Sequence, residues 1–262
     1  MTVTVTTLLL RINLKFLPVS KILSLLFIIT LSAWGILIFQ YWQMNNLPMS
    51  QMWMSPGSTW QWQLSDFAVV YTMWAVMMAA MMLPSAVPMI KAFSKSCQQR
   101  YKSEAPFSHL FSLAYLLVWF VFSIVLTVLQ WQLHGMQWLS GMMENNNTFL
   151  AAGIFITAGL YQFTTLKNAC LQHCRSPFSF LLNSWQNGKQ GAFKMGLVHG
   201  ATCVVCCWAQ MLVMFAVGVM NITAMVVITL FILLEKSLPA NETFLSKTTG
   251  VILCVWGGSL LL

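Results

Sequence analysis

Seven stretches of this chain stay apolar for close to the thickness of a bilayer, at about 21–42, 66–90, 108–131, 149–167, 194–217, 220–236 and 247–262. A helix crossing the hydrocarbon core needs about 20 such residues, and within lipid only helices and closed barrels satisfy their own backbone. Charged residues make up 7% of the chain, against about 25% in a soluble domain, so most of it is not built to face water. The expected fold is all-α, a polytopic transmembrane helix bundle of about seven spans. The first run follows Arg11, Lys15 and Lys21 and has no small-residue cleavage site after it, which reads as an uncleaved anchor.

The basic residues test this reading. With the N-terminus in the cytoplasm, segments 1–20, 91–107, 168–193 and 237–246 and the adjoining helix ends hold all 13 Lys and Arg. The external connections 43–65, 132–148 and 218–219 hold none. That asymmetry is the positive-inside pattern, and it predicts seven spans with the N-terminus in and the C-terminus out of a bacterial inner membrane. The net charge of +8 is then a matter of loops lying on an anionic leaflet; no motif points to nucleic acid. Two parts are expected: an anchor helix with a Met- and Trp-rich external loop over 1–65, and a metal-binding membrane domain over 66–262.

Soft ligands concentrate in a few places. In the second run Met73, Met77 and Met81 form one row at helical spacing, and Met78 and Met82 form a second beside it. Pro84 and Pro88 follow and are expected to kink the inner end. In the fifth run His199, Cys203, Cys206 and Cys207 share one face, with i, i+4 and i, i+3 neighbours. A third cluster, KNACLQHCRSPF, places Cys170, His173 and Cys174 at the inner end of the fourth run. Cys170, Cys174, His199 and Cys203 together have the chemistry of a four-ligand site. Outside, Met44, Met49, Met52, Met54 and His134 are candidates for external metal capture, in connections that also carry an interfacial belt of Trp. Thioethers and thiols without carboxylates select Cu(I), with zinc as the alternative. Packing also uses buried Met and Cys, so the pattern alone leaves a flexible helix seam as a competing account. Glu235 and Lys236 read as a local ion pair or anchor at the inner end of the sixth run, and Asn221 as a cap.

Taken together, MWAVMMAAMMLPS, GLYQFTTLKNACLQHCRSPFSFLL, GAFKMGLVHGATCVVCCWAQM, GVMN and LLEK resemble a bacterial family of predicted metal-binding integral membrane proteins, formerly a domain of unknown function. That family is associated with copper supply to copper oxidases, and the resemblance covers roughly residues 66–240. It implies metal handling by these His, Cys and Met residues, in the lipid bilayer, with a copper enzyme or copper carrier as client. The chain departs from the pattern at Thr165, where proline is expected after the YQ-x-T string.

Three function classes follow. The first is a non-enzymatic Cu(I) handler, a chaperone-like loader or a conduit. The second is a membrane thiol–disulfide oxidoreductase using Cys203 and Cys206, which have the spacing of a redox pair but sit away from the oxidising side. The third is a non-catalytic subunit of a membrane complex. No nucleotide-binding loop or carboxylate relay is present to drive active pumping.

Overall fold

The computed structural model describes residues 17–48, 53, 55–56, 59–101, 105–238 and 244–262. Among them the chain is helical, with a single β-bridge between Leu139 and Asn145. The helices are α1 (Leu17–Asn46), α2 (Leu64–Tyr101), α3 (Ala105–Gly135), α4 (Thr148–Tyr161), α5 (Thr165–Arg175), α6 (Pro177–Ser184), α7 (Gly188–Val217), α8 (Ile222–Ser237) and α9 (Phe244–Ser259).

Four stretches are long and apolar enough to cross a membrane: Lys21–Asn46, Leu64–Tyr101, Phe107–Gly135 and Gly188–Val217. The fourth apolar run of the sequence is broken. α4 and α5 meet at a bend of 65° and count as a fifth span only if taken together. The sixth and seventh runs form helices of 16 residues each, about 24 Å long at 1.5 Å per residue, which is short of a hydrocarbon core of about 30 Å. Large apolar side chains cover the outside, Phe27 at 63% and Trp256 at 57% exposure among them. This surface is compatible with a multi-pass membrane protein.

Helix ends follow their sequence signals. Asn147, Thr164 and Asn221 each accept a hydrogen bond from the backbone N–H three residues on, capping α4, α5 and α8. Thr165 is the first residue of α5, a position where proline is also well tolerated, so the departure from the family pattern leaves the helix start intact. Gly218, at φ 98°, makes the tight turn from α7 into α8.

α7 packs on α3, α4, α5 and α8, whereas α2 packs on α1, α3, α6 and α8. The α3–α7 approach depends on Gly196 and Gly200. A methyl group on Gly196 would run into the Phe111 carbonyl and stand 2.8 Å from Ala114 Cβ, and one on Gly200 would stand 3.0 Å from Val118. This is small-xxx-small packing, which lets backbones close up where lipid supplies no hydrophobic drive. Gly159, Gly250 and Gly257 do the same between α4 and α9.

α2 runs helical through both Pro84 and Pro88. Pro84 has no N–H for the carbonyl of Ala80, and the Trp34 indole of α1 donates to that carbonyl at 3.1 Å. The backbone group released by the proline is thus satisfied by a neighbouring helix. Trp34→Phe should lower the thermal midpoint of the detergent-solubilised protein, reflecting about 1–3 kcal/mol for an unsatisfied carbonyl. In a Pro84→Ala background, where the N–H is restored, the same change should be close to neutral; equal losses in both backgrounds would rule out this coupling.

Candidate metal centre

The face of α7 expected from helical spacing is an interior face. His199 is 3% exposed, and Cys203, Cys206 and Cys207 are fully buried, as is Met214. The bend between α4 and α5 turns the last turn of α5 onto this stripe. There the Cys174 thiol interacts with those of Cys203 and Cys206, and Cys207 interacts with the same two. Four thiols from two helices therefore share one region. None of the four is in a disulfide.

A polar rim closes over Cys203. Lys236 of α8 donates from Nζ to Cys203 Sγ at 2.8 Å and to Ser85 Oγ at 2.9 Å. The Tyr115 hydroxyl of α3 lies 3.3 Å from the same sulfur and 3.2 Å from the Met82 carbonyl. An ammonium donor therefore lies directly against this sulfur, itself a soft metal ligand. Lys236 is thus the cation beside Cys203. As the side chains stand, no three His, Cys, Asp or Glu among the described residues surround a common point closely enough to hold a metal ion.

His199, one turn before Cys203, stacks on Tyr115 at 5.5 Å and on Phe111 at 5.9 Å, with Phe180 at 5.9 Å. Its Nδ1 is buried and has no hydrogen-bond partner among the described residues. His173 meets the other side of this aromatic group, edge-on to Phe180 at 5.3 Å. Both α5 cysteines are half-buried, but Cys170 neighbours Tyr161 whereas Cys174 interacts with Cys203 and Cys206, so Cys174 is the one at the α7 thiols. On α2, Met73 is 5% exposed and Met77, Met78, Met81 and Met82 are fully buried. Met82 is the end of the rows nearest the thiols, since its carbonyl accepts from both Tyr115 and Ser85.

The external candidates divide. Met49, Met52 and Met54 lie outside the described residues. Met44 is half-buried near the C-terminal end of α1. His134 is buried in the last turn of α3, with Nδ1 2.9 Å from the Gln130 carbonyl and Nε2 3.2 Å from the Ser140 carbonyl. Neither ring nitrogen is open to a ligand without breaking one of these contacts.

Glu235 and Lys236 are not a pair with one another, contrary to the expectation from sequence. Glu235 binds Lys167 of α5 at 2.8 Å, and the two side chains are 1% and 0% exposed. Ser246 of α9 donates to the Glu235 carboxylate at 2.6 Å. Lys167 also donates to Gln162 in the α4–α5 break. With its amide oriented to suit its neighbours, Gln210 of α7 accepts from Lys167 at 2.7 Å and donates to the Cys207 carbonyl at 3.1 Å. Successive residues on a helix point about 100° apart, so adjacent charges need not meet. Two sequence signals point to these contacts: the spacing of Gly196 and Gly200, which implies a close helix partner, and the cost of a lysine within an apolar run without one. Glu235→Gln should destabilise the solubilised protein by about 3–5 kcal/mol by leaving a buried ammonium uncompensated. Lys167→Met with Glu235→Leu should fold better than that single change in a fluorescence-monitored melt; the reverse order would discount the pair.

The chain matches the model of the PpoB2 copper chaperone family over residues 71–260. No curated protein and no solved structure matches it. The matched residues take in both methionine rows, the α5 cysteines, the α7 stripe and Lys236. The chain belongs to the PpoB2 copper chaperone family.

Proposed function

We propose that this protein holds Cu(I) inside the bilayer as cargo and passes it to a copper enzyme or carrier, as a chaperone-like loader or conduit. The observation that carries the reading is the meeting of Cys174 from α5 with Cys203 and Cys206 of α7, beside which Cys207 completes a group of three buried α7 thiols. Thiolates in a site without carboxylate ligands suit Cu(I). Four thiols also suit zinc, but the thioether rows leading to them favour the monovalent soft ion. In this reading His199, whose Nδ1 has no hydrogen-bond partner among the described residues, serves as a further ligand one turn along.

The methionine rows supply the route. Met73 and Met82 are nine positions apart on α2, about 13 Å along the helix axis. Exchange between successive sulfurs moves a soft ion without leaving it bare. In this reading the bundle crosses a bacterial inner membrane with its N-terminus in and C-terminus out. α4 with α5 serves as one broken span, and α8 and α9 as short ones. Broken helices in membranes occur where they line a site, and this break delivers Cys174.

Purified protein in detergent, titrated with Cu(I) against a chromophoric chelator, should show tight binding. That binding should be lost in Cys203→Ser/Cys206→Ser/Cys207→Ser, weakened in Cys174→Ser and kept in Cys170→Ser. Unchanged stoichiometry in the triple variant would remove the thiol cluster from the mechanism, and tighter binding of zinc than of Cu(I) would replace the cargo.

A further inference from the structure

The bundle end opposite the thiol cluster holds a second collection of sulfur. A cavity of ≈ 320 Å³ is lined by Met44 of α1, Met73 of α2, Met143 of the α3–α4 connection and Met220 of the α7–α8 turn. Four segments remote in sequence thus each contribute a thioether. Met73, Met143 and Met220 are 5%, 3% and 8% exposed. The lining includes no Asp, Glu, Lys or Arg.

Two features set this apart from simple packing. Met143 has φ 62°, a left-handed backbone that a non-glycine residue adopts only under strain. It is held there by its own N–H on the Ser140 carbonyl at 2.8 Å and by Val219 N–H on its carbonyl at 3.1 Å. The second bond ties Met143 to the residue preceding Met220, so the loop and the turn are fixed to one another where both residues line the cavity. In addition, Gln40 lines the same cavity, and its buried Oε1 has no hydrogen-bond partner among the described residues. This unpartnered carbonyl dipole favours a positive charge nearby.

An adjoining cavity of ≈ 350 Å³ shares Met44, Met143 and Met220 and adds Met142 and Glu144. Glu144 is exposed, which places a carboxylate where an incoming cation is drawn in by long-range attraction. Met73 is also the first member of the α2 row. The shared wall therefore joins the exposed carboxylate to the buried thioethers.

We propose that Met44, Met73, Met143 and Met220 form a Cu(I) exchange site at the end of the bundle remote from the thiols, where the ion passes between an external carrier and the methionine rows. The proposal rests on the copper-handling reading above and extends it to a second, thioether-only site. Such a site binds more weakly than thiolates, as an exchange point requires.

The test uses the full chain in detergent, labelled with ¹³C at the methionine methyls and titrated with Ag(I), a redox-stable stand-in for Cu(I). After the thiols fill, the methyl signals of Met44, Met73, Met143 and Met220 should shift together in one step. Met143→Leu with Met220→Leu, volume-conserving changes, should weaken that step by about tenfold or more, at least the loss seen on removing an outer-shell partner. The thiol step should stay in place, and Met136→Leu, at an exposed position, should leave both steps unchanged. A thiol step without movement of the four methyls, or a methyl step indifferent to the double change, overturns the site and leaves the copper reading standing. Absence of any Ag(I) step overturns both.

Discussion

Two adjacent residues of α8 carry opposite charges into the interior in different directions, and most of the buried polar structure is arranged around them. Lys236 reaches Cys203 and Ser85, and Glu235 reaches Lys167 and Ser246. Without water, neither charge is tolerable unless paired and hydrogen-bonded. Satisfying both from a single short helix fixes where α2, α5, α7 and α9 sit relative to α8. Gln210 then joins the Lys167 group to the backbone of Cys207, so the ion pair and the thiol cluster belong to one network.

Close backbone approach makes this arrangement possible. Gly196 and Gly200 bring α3 against α7, which is how Tyr115 comes within 3.3 Å of Cys203. The aromatic rings of the same α3 face enclose His199. On α2 the prolines free backbone carbonyls beside the methionine rows, and Trp34 of α1 answers the one at Ala80. The helix carrying five successive buried thioethers is therefore held in place by partners on two sides. The two sulfur-rich regions differ in character. The thiols lie under a lysine in a hydrogen-bonded interior, and the vestibule thioethers line a cavity whose Met143 is strained into place by the loop.

Much of this was legible from local pattern. Apolar length alone led to helices, and the i, i+3 and i, i+4 spacing of His199, Cys203 and Cys206 placed them on one face, because that face is a property of the helix itself. Asn221 was recognisable as a cap for the same reason. The run 149–167 has the apolar length of a continuous span, yet the helix breaks at Gln162 to Thr164. Nothing in its mean apolarity marks a bend, although Thr164 has the chemistry of an N-cap. The expected pairing of Glu235 with Lys236 failed because neighbours on a helix diverge.

Short-range periodicity is thus enough to read apolar helices and sulfur ordered in rows along α2 and α7. Three features come from long-range packing: Cys174 and not Cys170 joins the α7 thiols, Lys236 is the cation at Cys203, and Met143 and Met220 line one cavity with Met44 and Met73. These are contacts between segments far apart in the chain. They follow from helix crossings set by glycine contacts, a bent α4–α5 pair and buried charges that accept only certain partners, none of which a local pattern encodes.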